Sequence, residues 1–114
     1  MAIDKSLLNG STTMLILKLL EETNMYGYQM IEELRKKSNN AFELKAGTLY
    51  PLLHTLEQKN ILTSYEEIAD NAKVRKYYSI TKLGRKHLKE RKEEWKAYTD
   101  AINGILGGAS YGTA

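Results

Sequence analysis

The 114-residue sequence contains no cysteine, one proline, one tryptophan, one phenylalanine and two histidines. Without cysteine, the chain can form neither a disulfide framework nor a thiolate metal site. His54 and His87 have no acid, base or nucleophile at a spacing typical of a catalytic or metal site. We therefore expect a protein that is not an enzyme and that uses no cofactor and no metal ion.

Long apolar segments are missing as well. The longest strongly apolar run, Met14 to Leu17, is far too short to span a bilayer. The first residues lack the basic start, apolar stretch and cleavage site of a signal peptide. The chain has 42% hydrophobic and 27% charged residues, which is ordinary for a single folded domain. We expect it in the cytoplasm.

The net charge of +3 is unevenly distributed. Residues 1–34 carry two basic and five acidic side chains, whereas residues 35–59 carry five basic and two acidic ones. Residues 60–80 are balanced at three of each, and residues 81–114 carry seven basic and four acidic side chains. A basic surface in the middle and C-terminal parts suits a phosphate-bearing partner, although many solvated helices look similar.

Apolar spacing predicts helices over residues 7–22, 25–37 and 46–59. Asn24 is the expected N-cap of the second helix, and Phe42 and Leu44 suggest a very short strand. Pro51 is tolerated in the first turn of a helix, which predicts that the third helix starts near Gly47 or Thr48.

The period then changes from helical to alternating. Residues 61–68 and 74–80 are predicted as strands around a turn at 70–72, and Thr81 is the expected N-cap of a helix ending near Leu106. This order predicts a mainly α fold with a small antiparallel β-hairpin, a winged helix-turn-helix plus a long C-terminal helix. We expect a DNA-binding domain at 1–80, a dimerisation helix at 81–106 and a flexible tail at 107–114.

The third helix is the predicted recognition helix. Its four leucines fall within about 100° of one another, and the opposite side carries Gly47, Pro51, His54 and Gln58. Small and hydrogen-bonding residues suit a helix that enters a major groove. The predicted core has eight members: Tyr26, Met30, Leu49, Leu52, Leu53, Leu56, Tyr78 and Ile80.

Four blocks of the sequence are distinctive: Met25-Tyr26-Gly27-Tyr28-Gln29-Met30, Gly47-Thr48-Leu49-Tyr50-Pro51-Leu52-Leu53, Leu56-Glu57 and Arg75-Lys76-Tyr77-Tyr78-Ser79-Ile80-Thr81. Together, over about residues 8–98, they resemble the phenolic acid decarboxylase regulator (PadR-like) family, in its short branch with one C-terminal helix. The resemblance implies a homodimeric winged-helix repressor that dimerises through the C-terminal helix with help from the N-terminal one. One departure is Asn60, where the family usually has glycine before the strand; Asn can adopt the same left-handed conformation.

The candidate DNA-binding residues lie on the recognition helix and the wing: Lys45, Thr48, Tyr50, His54, Lys73, Arg75 and Lys76. Thr48 serves as an N-cap, a phosphate donor or both, and Tyr50 either contacts DNA or packs on the second helix. His54 either contacts a base or is solvated. The four cations either contact DNA or are solvated charges without a DNA partner. Tyr28 and Lys36 are weaker candidates for the DNA backbone.

The C-terminal helix carries an apolar stripe formed by Leu88, Trp95, Tyr98 and Ile102, continued by Ile105 and Leu106. A small winged helix cannot cover such a stripe alone, so we expect a homodimer. In some members of the family that the chain resembles, an interface tryptophan flanks a pore for flat aromatic compounds, and the resemblance places Trp95 at about that position. Trp95 then either flanks a site for a small planar aromatic effector or only fills the interface.

The leading hypothesis is a ligand-responsive repressor that binds a pseudopalindromic operator on double-stranded DNA. The alternative is a winged-helix protein–protein interaction module without specific DNA binding, which the fold permits.

Overall fold

The computed structural model describes residues 3–69 and 71–107, apart from the side chain of Lys5. Five helices and three strands follow one another: α1 (Lys5–Asn9), α2 (Thr12–Glu22), β1 (Met25–Tyr26), α3 (Gly27–Lys37), α4 (Ala46–Gln58), β2 (Leu62–Ile68), β3 (Val74–Ile80) and α5 (Lys82–Leu106). The predicted fold class is confirmed: a mainly α chain with a small antiparallel sheet and a long C-terminal helix. Asp70 of the predicted turn and residues 108–114 of the predicted tail lie outside the described residues.

The predicted N-terminal helix over 7–22 is divided into α1 and α2 by a corner at Gly10 and Ser11. The carbonyl of Leu8 accepts hydrogen bonds from the Ser11 hydroxyl at 3.1 Å and the Thr12 hydroxyl at 2.9 Å. At the break between the helices, these hydroxyls supply hydrogen-bond donors to the Leu8 carbonyl. Ser and Thr side chains commonly compete in this way with the hydrogen bonds of a helix. The chain therefore changes direction where the sequence predicted one continuous helix.

The second helix starts two residues later than predicted. Met25 and Tyr26 form β1, which pairs with Tyr78 and Tyr77 of β3, and Tyr26 is the residue before α3. Asn24 is therefore not the N-cap. A two-residue strand exists only because β3 supplies its hydrogen-bond partners, so local pattern cannot reveal it. The short strand expected at 42 and 44 is absent, since residues 41–45 have no regular structure.

Helix α4 begins at Ala46, with Lys45 as its N-cap residue. The helix thus begins at the first residue of the predicted span 46–59, one residue before Gly47. Pro51 lies inside the helix and not in its first turn, and Thr48 is not the N-cap. A proline here removes the hydrogen bond to the carbonyl four residues earlier, that of Gly47. Gly47 is exposed, which lets water reach that carbonyl.

The core lies between the helices and one face of the sheet, whose strand order is β1-β3-β2. Its fully buried side chains come from α2, α3, α4, β2 and α5: Ile16, Leu17, Leu20, Met30, Leu49, Leu53, Leu62 and Leu88. Six of the eight predicted core residues are buried, while Tyr26 and Leu52 are only half-buried. None of the helices in the described residues is long and apolar enough to cross a membrane.

One junction joins α4, the hairpin and α5. Asn60 adopts a left-handed φ of 62°, as expected for a residue that replaces glycine before the strand. The Thr81 hydroxyl lies 2.7 Å from the Asn60 carbonyl oxygen and accepts a hydrogen bond from the Gly84 amide at 2.9 Å. Thr81 is thus the N-cap of α5, as predicted. Gly84 lies directly against the Ile61 carbonyl, which leaves no room for a side chain.

The close approach at Gly84 predicts that Gly84→Ala lowers the free energy of unfolding by about 2 kcal/mol, because a methyl group would collide with rigid backbone. Gly104→Ala is the matched control in the same helix, since nothing lies within 4 Å of a Cβ there. It should raise stability by up to about 1 kcal/mol. Urea denaturation measures both, and equal effects would contradict the packing described at Gly84.

Candidate nucleic-acid interface

Helix α4 has one buried and one exposed side. Leu49, Leu53 and Leu56 anchor it in the core. The other side exposes six residues: Gly47, Thr48, Pro51, His54, Thr55 and Gln58. The Thr55 hydroxyl bonds the Pro51 carbonyl at 3.1 Å, so it is partly engaged within the helix. What remains is a surface of small and polar groups without an acidic side chain.

Lys45 and Thr48 lie at the beginning of α4. The carbonyl of Lys45 accepts the amide of Thr48 at 3.0 Å and that of Leu49 at 2.9 Å, and both the Lys45 and Thr48 side chains are exposed. A helix start carries partial positive charge and favours an anion. The start of α4 therefore combines a cation, a hydroxyl and the helix dipole.

Tyr50 packs across the start of α3 and is not fully free. A Cβ on Gly27 would lie 2.6 Å from Cζ of the Tyr50 ring, so glycine at this position makes room for the tyrosine. Burial, with smaller contributions from Tyr28 and Tyr78, raises the pKa of the Tyr50 hydroxyl above its usual value. The side chain is still 41% exposed. Tyr50 therefore packs on the second helix, which was one of the two predicted alternatives. The edge of its ring also reaches solvent.

The three cations of the predicted wing have different surroundings. Lys73 is exposed at the turn, where Ala72 has a left-handed φ of 63°. The guanidinium carbon of Arg75 lies 4.3 Å from the centroid of the Tyr26 ring. Lys76 lies 3.4 Å from a carboxylate oxygen of Glu57. Arg75 and Lys76 thus contact their own chain, and Lys73 extends into solvent.

Glu57 is the acidic residue of α4, and it faces the sheet. The Ser64 hydroxyl donates to its carboxylate at 2.6 Å. This hydrogen bond and the nearby Lys76 ammonium hold the pKa of Glu57 below its ordinary value, against a smaller opposing effect of burial. The carboxylate is therefore ionised at neutral pH and turned away from the exposed side of α4.

A row of tyrosines covers the outer face of the sheet. Tyr77 meets Tyr26 edge to face, with ring centroids 5.4 Å apart, and stacks on Tyr65 at 5.6 Å. The Asn24 amide donates to the Tyr65 hydroxyl at 3.1 Å. With Arg75, this row ties the hairpin to the segment that begins α3. The sequence predicted Tyr26 in the core, whereas it is half-buried on the outer face of the sheet. Local pattern could not show this, because its partners Arg75 and Tyr77 are distant in the chain.

The two weaker candidates are exposed on α3. Tyr28 lies near its start and is 62% exposed. Lys36, near its end, lies 3.8 Å from Glu33 in a solvated ion pair one turn apart. Such a pair contributes little to stability, so it leaves Lys36 able to contact another anion.

The second candidate site is the apolar stripe of α5. Trp95 is 43% exposed and Tyr98 56%, and their ring centroids are 5.7 Å apart. Ile102 continues the stripe towards the end of the helix, where Ile105 and Leu106 are more exposed still. Leu88 does not belong to it: at 1% exposure it is part of the core of its own chain, which corrects its assignment to the interface.

Trp95 and Tyr98 line an open groove of about 890 Å³ between α5 and the N-terminal helices. Its other apolar walls come from Leu7, Met14 and Phe42. Arg91 and Glu94 add one charge of each sign, 3.7 Å apart. Size, aromatic lining and a few polar groups are typical of a small-molecule site.

Four contributors to these sites were not singled out from the sequence: Gly27, Glu57, Ser64 and Gly84. Glu57 and Gly27 lie inside the distinctive sequence blocks. The blocks therefore marked these two residues, but the sequence did not indicate what their side chains contact. Ser64 and Gly84 act on residues seven or more positions away, and only the folded chain shows those contacts.

Comparison with known families gives a consistent result. The model of the "Transcriptional regulator PadR-like family" matches residues 16–90, from α2 into α5. The transcriptional regulator Rv3488 of Mycobacterium tuberculosis is 31% identical over 96 residues, which is 84% of this chain and 83% of the relative.

Solved structures show the same fold. A transcriptional regulator from Clostridium thermocellum matches with a TM-score of 0.82 and 33% identity, over 89% of this chain and 98% of that chain. A PadR family transcriptional regulator from Eggerthella lenta matches with a TM-score of 0.77 and 33% identity, over 89% and 86% of the two chains.

Proposed function

Because the chain belongs to the PadR-like family of transcriptional regulators, we propose that it is a homodimeric, ligand-responsive repressor that binds a pseudopalindromic operator. The family and its relatives are DNA-binding regulators and not enzymes, in agreement with the sequence-based expectation. Such a protein acts where the chromosome is, which for this chain we propose to be the cytoplasm.

The observation that carries the DNA part of the proposal is the exposed side of α4. It presents Thr48, His54 and Gln58 without an acid, while Glu57 is bound to the sheet. Hydroxyl, imidazole and amide groups can hydrogen-bond to base edges in a major groove. In this arrangement α4 enters the groove and its leucines hold it to the domain.

The surrounding cations supply affinity without sequence preference. Lys45 at the start of α4 and Lys73 at the hairpin turn contact phosphates on either side of the groove. Tyr50 contributes the exposed edge of its ring beside them. The other two wing cations, Arg75 and Lys76, were also predicted to contact DNA, and each has a partner within its own chain.

Two copies of the domain are required to read a palindrome. The exposed stripe of Trp95, Tyr98 and Ile102 supports a homodimer through α5, because an uncovered apolar stripe on a helix of 25 residues favours a partner. Twofold symmetry then places two α4 helices on half-sites about one helical turn, ~34 Å, apart.

An effector would act from the groove at Trp95. The groove borders the same face of α5 that forms the proposed dimer, so a flat aromatic molecule stacked on Trp95 contacts both. Its binding would favour one relative orientation of the two domains and thereby change the fit to the half-sites.

DNA binding is tested on the DNA upstream of the chain's own gene by footprinting and then by titration of the protected duplex. About six phosphate contacts predict a slope near −5 when the logarithm of the binding constant is plotted against the logarithm of the salt concentration.

His54→Ala should weaken operator binding about tenfold, because a base contact is lost. Thr63→Ala, an exposed change on β2, is the matched control and should have no effect. Salt-insensitive binding, or equal affinity for an unrelated duplex, would instead support a protein–protein module.

The dimer is tested by a charge placed in the stripe. Ile102→Glu should shift the protein towards monomer in sedimentation velocity, because it would bury an unpaired carboxylate at the interface. Ile68→Glu makes the same change at an exposed residue of the hairpin and should leave the dimer intact. A variant at 102 that remains dimeric would place the interface elsewhere.

The effector site is tested through the single tryptophan of the chain. We expect acridine or 4-hydroxycinnamic acid to quench Trp95 fluorescence with saturable binding, since stacking alters the indole environment. Tyr98→Ala should weaken that binding several-fold. A signal that stays unchanged across planar aromatic compounds of both kinds would remove the effector from the proposal.

A further inference from the structure

The hairpin formed by β2 and β3 is fastened to α4 through one carboxylate. One oxygen of Glu57 accepts the Ser64 hydroxyl at 2.6 Å, and the other lies 3.4 Å from the Lys76 ammonium. Ser64 belongs to β2 and Lys76 to β3. The single side chain of Glu57 therefore bridges α4 to both strands.

The position of Lys76 is set by a second contact. Its ammonium lies 5.5 Å from the centroid of the Tyr78 ring, which is buried in the core. Lys76 and Tyr78 are two residues apart on β3, so their side chains lie on the same face of the sheet. The Lys76 side chain extends along this face towards α4. This path leads away from the hairpin turn, where Lys73 is exposed.

The energies of these contacts are too small to make stability their main effect. Glu57 and Lys76 keep 32% and 51% of their side chains exposed, and ion pairs at such sites contribute at most about 1 kcal/mol. The Ser64 hydrogen bond is short and charge-assisted, so it adds both free energy and a fixed orientation. Beyond the short pairing with β1 at Tyr77 and Tyr78, the hairpin has only two strands, and a two-stranded hairpin is marginally stable without further packing.

We propose that Glu57 is a positioning residue that fixes the hairpin against the recognition helix, and that Lys76 serves this clamp and not a DNA phosphate. The effect on operator binding rests on the proposed function, whereas the effect on the hairpin does not. Arg75 makes a separate contact within the sheet, over the ring of Tyr26 in β1.

The clamp and simple electrostatics predict opposite signs. Without a clamp, removing the Glu57 carboxylate near DNA removes a repulsion, and Glu57→Gln tightens operator binding. With the clamp, the same variant releases the hairpin and weakens binding roughly five-fold, because ordering the wing then opposes association. Glu66→Gln is the matched control: Glu66 is exposed and lies opposite Lys76 in the strand register.

The first experiment titrates the operator duplex with the full-length wild type, Glu57→Gln and Glu66→Gln at several salt concentrations. We expect weaker binding only for Glu57→Gln, with thermal melting within a few degrees of wild type. Equal tightening by both variants would overturn the clamp.

The salt slope separates the two roles of Lys76. Lys73→Met should reduce the slope by about 0.9, as expected for the loss of one phosphate contact. Lys76→Met should weaken binding without changing the slope, and it should have no further effect in the Glu57→Gln background. A loss of about 0.9 for Lys76→Met in both backgrounds would show a phosphate contact and overturn the assignment.

A measurement without DNA keeps the clamp testable if no operator is found. Hydrogen exchange of amides in β2 and β3 should accelerate several-fold in Glu57→Gln and in Ser64→Ala, and remain at the wild-type rate in Glu66→Gln. Unchanged exchange in the first two variants would overturn the clamp. Failure of wild-type DNA binding, with exchange as expected, would overturn only the proposed function.

Discussion

The hydrogen bonds of Thr81 at the base of the hairpin determine how the rest of the structure is arranged. The Thr81 hydroxyl lies 2.7 Å from the carbonyl oxygen that ends the α4 region, at Asn60, and caps α5 through the Gly84 amide. The recognition helix, the base of the hairpin and the start of the long helix are thereby held within one hydrogen-bonded unit. The backbone adds to this unit, since the Thr81 amide donates to the Ile61 carbonyl at 3.1 Å.

The proposed regulation by a ligand bound at α5 would act on α4 through this junction. Trp95, which lines the groove, lies on the helix that starts at the junction, eleven residues or about three turns after Gly84. A helix transmits displacement because its backbone hydrogen bonds make it stiff. In the proposed function, α5 would connect the groove and the dimer interface to α4, and the element with two states would be the relative orientation of two protomers.

The wing shows how a basic motif can serve architecture. Arg75 and Lys76 were predicted to contact DNA because they are cations beside a turn, and composition cannot distinguish a phosphate contact from an internal one. In the folded chain one stacks on Tyr26 and the other pairs with Glu57. Their partners, Tyr26 in β1 and Glu57 in α4, precede the hairpin in the chain, so the contacts exist only after these elements and the hairpin have packed together.

The sequence by itself determined the order and period of the elements. The hairpin strands at 61–68 and 74–80, the capped start of α5 at Thr81, the leucine face of α4 and the left-handed Asn60 follow from local rules of periodicity, capping and φ. Tertiary structure alone decided β1, which needs the edge of β3, and the position of Pro51 inside α4, whose Leu49 and Leu53 are buried in the core. It also decided that Leu88 is core and Trp95 is not. The physical reason is the same in each case: local pattern specifies which side chains share a face, but only packing determines what covers that face.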